Sequence, residues 1–409
     1  MRFLHTSDWH LGRSFHQVGL LGAQVRVLDH LVEVVRSEKV DAVLVSGDVY
    51  DRALPSPETV AALGEALVRL VDAGAQVVLS SGNHDSAIRL GFAAGLLERS
   101  GLHIRSSVTD IGRPVLVGDV AVHALPYLEP AATADALGAS ARTHAGVLGA
   151  AMERVRADLA GRGGPSVVMA HAFVTGGATS DSERDIAVGG VGAVHPDTFA
   201  GASYAALGHL HGRQEVAPGV RYSGSPVAMS FSEWRHTKGS WLVDLAADGT
   251  SRVEFVEAPV ERPLRLLRGD LEDLLRDRAH DDAEGAWVQA TLTDAARPRA
   301  AMERLRTRFP HALVLQWQPQ GAAVDLTSYA ARVGRPRQDL DLCCDFVGHV
   351  RDGRAADDEE RLLLRDALEA SRAARAQHVD ELGAVLPGLE DLRRPGGGGR
   401  DGEREDGVA

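Results

Sequence analysis

The sequence predicts an α/β protein in which two sheets stack face to face with helices outside, followed by a small α+β domain and C-terminal helices. Three observations lead there. The first 110 residues alternate short apolar runs with helical patterns. Residues 113 to 257 shift to shorter strands around one further helix. A smaller alternation of helix and strand follows the proline-marked stretch "EAPVERPLRLL" at 257 to 267.

In order, "RFLHT" reads as the first strand, followed by a helix from about Gly22 to Glu38. "DAVLVS" (41 to 46) is the second strand, and the next helix opens near "SPETV", with Pro57 at an early position and Gly74 as its stop. "QVVLS" (76 to 80) is the third strand, with a helix expected from Ser86 to Ser100. Strands follow in "PVLVGDVAVHALP", then a helix around 144 to 160, "PSVVMA" (165 to 170), and strands near 203 to 207, 220 to 223 and 239 to 257. The later alternation is the helix "DLEDLLRDRA" with the strands "AWVQATL" and "ALVLQWQ".

With 409 residues, 44% hydrophobic and 25% charged, the chain is long enough for two or three domains with a sizeable core. Asp8 interrupts any N-terminal signal-like stretch and no apolar run reaches about twenty residues, so export and membrane insertion are not expected. Cys343 and Cys344 are the only cysteines and are adjacent, which suits a reducing cytoplasm and neither a disulfide nor a metal cage. The net charge of −13 is spread along the chain, so no basic nucleic-acid clamp is present and any polyanion must be met by metal, local arginines or a partner.

Each early strand is followed by a cluster of potential ligands. After the first comes Asp8 and His10 in "SDWH", after the second Asp48 and Asp51 in "GDVYD", after the third Asn83, His84 and Asp85 in "GNHD". Later "VVMAH" ends in His171, and "YAALGHLH" in His209 and His211. Sheets of this kind bind ligands at the carboxyl ends of their strands. An Asp and a His two residues apart on a strand point to one face and can grip one ion together. One Asp before a helix is ordinarily a cap and "GD" ordinarily a turn, but five clusters in order point to a shared site. Carboxylate, amide oxygen and imidazole together suit Mn²⁺, Fe²⁺ or Zn²⁺ better than Ca²⁺. Two such ions about 3.5 to 4 Å apart are well suited to phosphoester hydrolysis.

This ordered set resembles the metallophosphoesterase superfamily, the calcineurin-like phosphoesterases, over residues 1 to about 245. "HTSDWHLG", "SSGNHDS", "SDSERDIAVGG" and "YSGSPVAMSFSE" narrow the resemblance to the nuclease subunits of bacterial SbcCD complexes. It implies a four-layer α/β/β/α sandwich and two Mn²⁺, with Mg²⁺, Fe²⁺ or Zn²⁺ as substitutes. One ion would be held by Asp8, His10, Asp48 and His211, the other by Asp48, Asn83, His171 and His209, with Asp48 as the bridge. His84 would act on the scissile phosphate without binding metal, and Asp85 would orient its loop or cap a helix. Archaeal and eukaryotic relatives carry a second active-site His where this chain has Asp51. Arg184, beside Asp185, is a candidate phosphate contact or structural ion pair, and Tyr222, Ser223 and Ser225 are candidates to line the cleft or to form a turn.

The resemblance further implies a nuclease domain at 1–260, a DNA-positioning capping domain at 261–338, a partner-binding helical segment at 339–392 and a disordered tail at 393–409. Arg304 and Arg308 share a helical face that could meet phosphate or simply be solvated. Leu362, Leu363, Leu364 and Leu368 form an apolar stripe suited to an SbcC-type coiled-coil ATPase or to packing on their own domain. A homodimer within a heterotetramer is implied, acting as exonuclease on double-strand ends and endonuclease on hairpins or single strands. A small-molecule phosphodiesterase and a silent scaffold are the competing functions.

Overall fold

The computed structural model describes residues 1–183, 192–319, 339–350 and 355–370, and the chain divides into two units, Met1–Gln320 and Gly321–Ala409. Arg184 and Asp185, most of the end of the 339–392 segment and the 393–409 tail lie outside the described residues.

The strands run β1 (Arg2–Thr6), β2 (Ser14–Phe15), β3 (Val18–Gly19), β4 (Ala42–Ser46), β5 (Gln76–Ser80), β6 (Leu102–Arg105), β7 (Val115–Val117), β8 (Val120–Ala124) and β9 (Ser166–His171). After them come β10 (Tyr204–Gly208), β11 (Gln214–Ala217), β12 (Val220–Tyr222), β13 (Gly239–Leu245) and β14 (Ser251–Glu257). The helices among them are α1 (Leu21–Glu38), α2 (Pro57–Asp72), α3 (Ala87–Leu90), α4 (Ala94–Leu97), α5 (Pro130–Leu137) and α6 (His144–Arg162). One six-stranded sheet has the order β14-β13-β1-β4-β5-β6, the other β11-β12-β10-β9-β8-β7.

Alternation along the strands explains why these sheets stack. Phe3, Leu44 and Val78 point into a layer shared with Val122, Val167, Met169, Tyr204 and Ala206 of the second sheet. Their neighbours Leu4, Val43 and Val77 turn the other way, onto α1 and α2. On the far side, Val168, Ala205 and Leu207 pack under α5 and α6 with Val147, Ala151 and Val155. Helix, sheet, sheet and helix therefore form four layers with three apolar seams.

Local signals place most boundaries. Helix α2 begins where Ser56 accepts a hydrogen bond from the Thr59 N–H with Pro57 beside it, a cap worth about 1 kcal/mol. The expected continuous helix from Ser86 to Ser100 is instead α3, α4 and a 3-10 turn, because Gly91 backs onto Ser106 and Ala93 adopts φ 59°.

Residues beyond 260 add β15 (Leu264–Gly269), α7 (Leu271–Arg276), β16 (Trp287–Leu292), α8 (Ala301–Arg308) and β17 (Ala312–Trp317) in a parallel sheet ordered β15-β16-β17. Its own core joins Leu267, Val288, Ala290 and Leu305. Leu264 and Trp287 of its other face pack with Phe15, Leu20, Met229 and Phe231 of the sandwich. The arginines of α8 do not face a free groove. Arg308 bonds the Leu274 and Asp277 carbonyls and pairs with Asp281 and Glu284, Arg304 pairs with Glu272, and Arg306 bonds the Ala312 carbonyl. They tie the small domain together.

In the second unit, Asp339–Val350 is helical, as is 358–370, where Leu362 and Leu363 are exposed. No helix among the described residues is long and apolar enough to cross a membrane.

Candidate metal centre

All five clusters emerge where β1, β4, β5, β9 and β10 end, and the stacking of the sheets brings them to one edge. Asp8, His10, Asp48, His84, His171, His209 and His211 are all buried there. The strand-alternation argument for paired ligands does not describe how they meet. Strands β1 and β10 stop at Thr6 and Gly208, and Asp8 (φ 53°), His10 (φ 44°), Asp48 (φ 49°) and His209 (φ 109°) are left-handed residues in the loops beyond. Non-glycine residues held there cost about 1 to 3 kcal/mol each and cluster at functional sites. The neighbouring glycines are sterically required. A Cβ on Gly47 would overlap His171, on Gly82 Asp48, and on Gly208 the Ser46 carbonyl.

Asp48 lies at the junction of two donor groups. Its Oδ2 is 3.4 Å from His10 Nε2 and 3.4 Å from His171 Nε2. On one side His10 Nε2 and His211 Nε2 stand 3.1 Å apart with Asp8 nearby. On the other, His171 Nε2 is 2.8 Å from Asn83 Oδ1, and the His171 and His209 rings are 5.3 Å apart. Asp8 accepts from the His209 N–H at 3.0 Å and from Ser7 Oγ at 2.5 Å.

These contacts are crowded with acceptors. His171 Nδ1 is 3.0 Å from the Ser46 carbonyl, which can only accept, so Nδ1 carries a proton and Nε2 turns its lone pair towards Asn83 Oδ1 and Asp48 Oδ2. Such a contact is repulsive unless a cation, proton or metal, sits there. The electrostatics agree. Burial opposes a charged His171, yet Asp48 and then Asp8 hold its imidazole up at about 9. Burial pushes the Asp8 carboxyl up to about 6 and pulls His209 down to about 3. Burial would raise Asp48 too, but His171 and His10 drive it well below its ordinary value. Buried carboxylates, an amide oxygen and imidazoles sharing one pocket fit a divalent metal.

Around this knot lie His84 and Asp51. His84 Nδ1 is 2.8 Å from the Asp51 carbonyl, its N–H donates to Asp48 Oδ1 at 2.9 Å, and its Nε2 faces Asp48 Oδ2 at 3.9 Å. The Asp51 carboxylate pairs with Arg13 at 3.2 Å and lies 3.7 Å from His10 Nδ1, which has no hydrogen-bond partner among the described residues. Asp85 accepts from the N–H groups of Val49, Tyr50 and Gly82, so it staples the second and third loops together, while Ser86 caps α3.

Three expected cleft residues lie behind the site. Tyr222 Oη bridges the Ala172 carbonyl and the Val174 N–H, Ser223 bonds Ser7, and Ser225 bonds Lys238. Ser182, Glu183, Glu233 and Lys238 were not singled out from the sequence, yet they surround His211. Their sequence signal was membership of "SDSERDIAVGG" for Ser182 and Glu183 and of "YSGSPVAMSFSE" for Glu233, with Lys238 five residues beyond it. Burial would raise the Glu233 carboxyl, but Lys238 and His211 hold it well below the usual range.

Residues 1–211 match the calcineurin-like phosphoesterase family model, and residues 260–337 match that of the Type 5 capsule protein repressor C-terminal domain, the SbcD C-terminal domain. Solved structures with a similar outline include TT1561 of Thermus thermophilus (13% identity, TM-score 0.38, 62% of this chain and 98% of that one). GAP50, the anchor in the inner membrane complex of Plasmodium, is another (11% identity, TM-score 0.38, 78% and 98%). So is the calcineurin-like phosphoesterase YfkN of Bacillus subtilis (12% identity, TM-score 0.33, 63% and 89%).

With more than half its length in the first match and a divalent-metal site at the expected edge, the chain belongs to the calcineurin-like phosphoesterase family, whose members hydrolyse phosphoesters. The second match, on the three-stranded domain, marks it as a nuclease subunit of the SbcD type.

Proposed function

We propose that the protein cleaves DNA phosphodiesters with two Mn²⁺ ions, as an exonuclease at double-strand ends and an endonuclease on hairpins and single strands. The observation that carries this is Asp48, whose one carboxylate oxygen stands equally close to a nitrogen from each donor group. Asp8, His10, Asp48 and His211 would hold one ion, and Asp48, Asn83, His171 and His209 the other. When bound, such a pair activates water and neutralises charge on the phosphoryl oxygens.

The chain's own residues supply the rest. The Asp51 carbonyl accepts a hydrogen bond from His84 Nδ1–H, which turns Nε2 to the reaction space, where the imidazolium form would donate to or protonate the departing oxygen. Asp85 fixes the loops that carry Asp48 and Asn83, so both groups are positioned before substrate arrives. A cleft of about 510 Å³ beside the centre, bounded by Arg13, His16, Trp234 and Gln289, has walls from both the sandwich and the small domain. That shared wall favours a polymer over a cyclic nucleotide.

ATP use is assigned to an SbcC-type partner, with the exposed leucines of 358–370 as the docking stripe. A homodimer is supported by the exposed Leu54, Val60, Val68, Ile88, Phe92 and Leu96.

The test is cleavage of a hairpin-capped duplex with added Mn²⁺. Asp48→Ala is expected to lose metal and activity together. His84→Gln is expected to keep metal and lose about 10² to 10⁴ in rate. Normal cleavage by both variants sinks the assignment.

A further inference from the structure

A polar chain runs inward from His211. Ser182 Oγ lies 2.6 Å from His211 Nδ1 and also hydrogen-bonds Glu233 Oε1. Glu233 Oε2 accepts from Lys238 Nζ at 2.5 Å and from the Met229 N–H at 3.3 Å. Lys238, one of two lysines in the protein, also donates to the His211 carbonyl and to Ser225, each at 2.9 Å. On the other side, the His211 N–H donates to Glu183 Oε1 at 2.8 Å. Ser182, His211, Glu233 and Lys238 are each more than nine-tenths buried.

Donor counting gives the chain a direction. A lysine ammonium only donates, so Glu233 receives at Oε2, and Oε1 receives the single Ser182 hydroxyl proton. With that proton spent, the hydroxyl oxygen has only lone pairs left for His211, so His211 Nδ1 must carry the hydrogen. Its Nε2 is then left as a lone pair, 3.1 Å from His10 Nε2 and in the group formed with Asp8.

We propose that Ser182, Glu233 and Lys238 are a positioning relay that locks His211 in its Nδ1–H tautomer and aims Nε2 at a divalent cation. This rests on the reading of His211 as a ligand. It differs from the direct carboxylate–imidazole contact common around metal-binding histidines, because a serine hydroxyl is inserted and a buried lysine anchors the carboxylate. The lysine also grips the backbone of the histidine it helps to orient. Glu233 lies in the same short turn as Phe231, which packs on Trp287, so the relay is rooted where the small domain seats.

The experiment uses full-length, metal-free protein with ¹⁵N-labelled histidine and long-range ring correlation spectra, the His211 signals being identified by their loss in His211→Gln. Wild type is expected to show His211 protonated at Nδ1. Glu233→Gln, which keeps the volume and removes the charge, is expected to mix the tautomers. Calorimetry with Mn²⁺ alone should show one of two sites weakened by about 10- to 100-fold in Ser182→Ala and Glu233→Gln. An Nε2–H tautomer in wild type, or a folded Ser182→Ala with unchanged Mn²⁺ affinity, overturns the relay. If the variants fail to fold, the wild-type spectrum alone decides. Absence of Mn²⁺ binding by wild type would overturn the metal reading and the relay's purpose, whereas bound Mn²⁺ with the wrong tautomer would overturn the relay alone.

Discussion

His5 shows how much a single buried side chain depends on its protonation state. Its ring lies 2.9 Å from Tyr204 Oη and 3.1 Å from the Leu207 carbonyl, between the two sheets, and burial pulls its pKa down to about 3. The fold needs the neutral ring, whereas an unfolded histidine takes its proton near 6.5. Its contribution is therefore complete above that value and lost as pH falls from about 6.5 towards 3, with a slope of up to about 1.4 kcal/mol per pH unit. Denaturant midpoints measured at pH 8 and pH 5 should differ less in His5→Phe than in wild type, even though that variant starts lower. Asp85 offers a second measurement. Asp85→Ala strands three backbone N–H groups and should cost about 1 to 3 kcal/mol for each one left unsatisfied, seen as a lowered melting temperature together with weaker Mn²⁺ binding.

The same scale explains what was readable beforehand. Asp8, His10, Asp48, Asn83, His84, His171, His209 and His211 stood out because each interrupts the chain just after an apolar run. Ser182, Glu233 and Lys238 did not, because an ordinary serine, glutamate and lysine become significant only once tertiary packing buries them together. The partners of the α8 arginines were hidden for a related reason. Their spacing was visible, but the carbonyls and carboxylates that receive them belong to α7, the turn after it and the start of β17.

Among the elements, the succession of the longer strands and α1 followed from hydrophobic period, and α2 from period and its cap signals. The region after β5 did not, because a left-handed alanine leaves no mark in sequence and one expected helix is three short turns. Those turns, α2 and the loop before it carry a group of exposed apolar residues, with a groove of about 350 Å³ lined by Leu54, Val60, Leu67 and Phe92 between them. Phe92→Asp should convert a dimer to a monomer by light scattering without changing the melting temperature of the protomer by more than a few degrees. A second element-level constraint is Gly208, where the end of β10 touches the end of β4 backbone to backbone. Gly208→Ala forces these apart and is expected to cost on the order of 3 kcal/mol or more, read from denaturant unfolding.

At the level of the whole molecule, the small parallel domain is held to the sandwich by Leu264 and Trp287 against Phe15 and Phe231. Trp287→Ala should loosen that seat without removing any of the proposed metal ligands. Hydrolysis of a small chromogenic phosphodiester is then expected to persist, while cleavage of a hairpin duplex falls by roughly 100-fold because the polymer is misplaced. Equal losses on both substrates would argue that the domain does not position DNA.

The division of the proposed ligands between the sheets has a consequence for biosynthesis. Asp8, His10, Asp48 and Asn83 follow strands of the first sheet, whereas His171, His209 and His211 follow strands of the second. A nascent polypeptide with only its first 110 residues outside the ribosome holds three of the four ligands proposed for one cation and two of the four proposed for the other, and completes neither position. Metal-dependent hydrolysis is then expected to arrive late in translation, when residue 211 has emerged and both halves have docked.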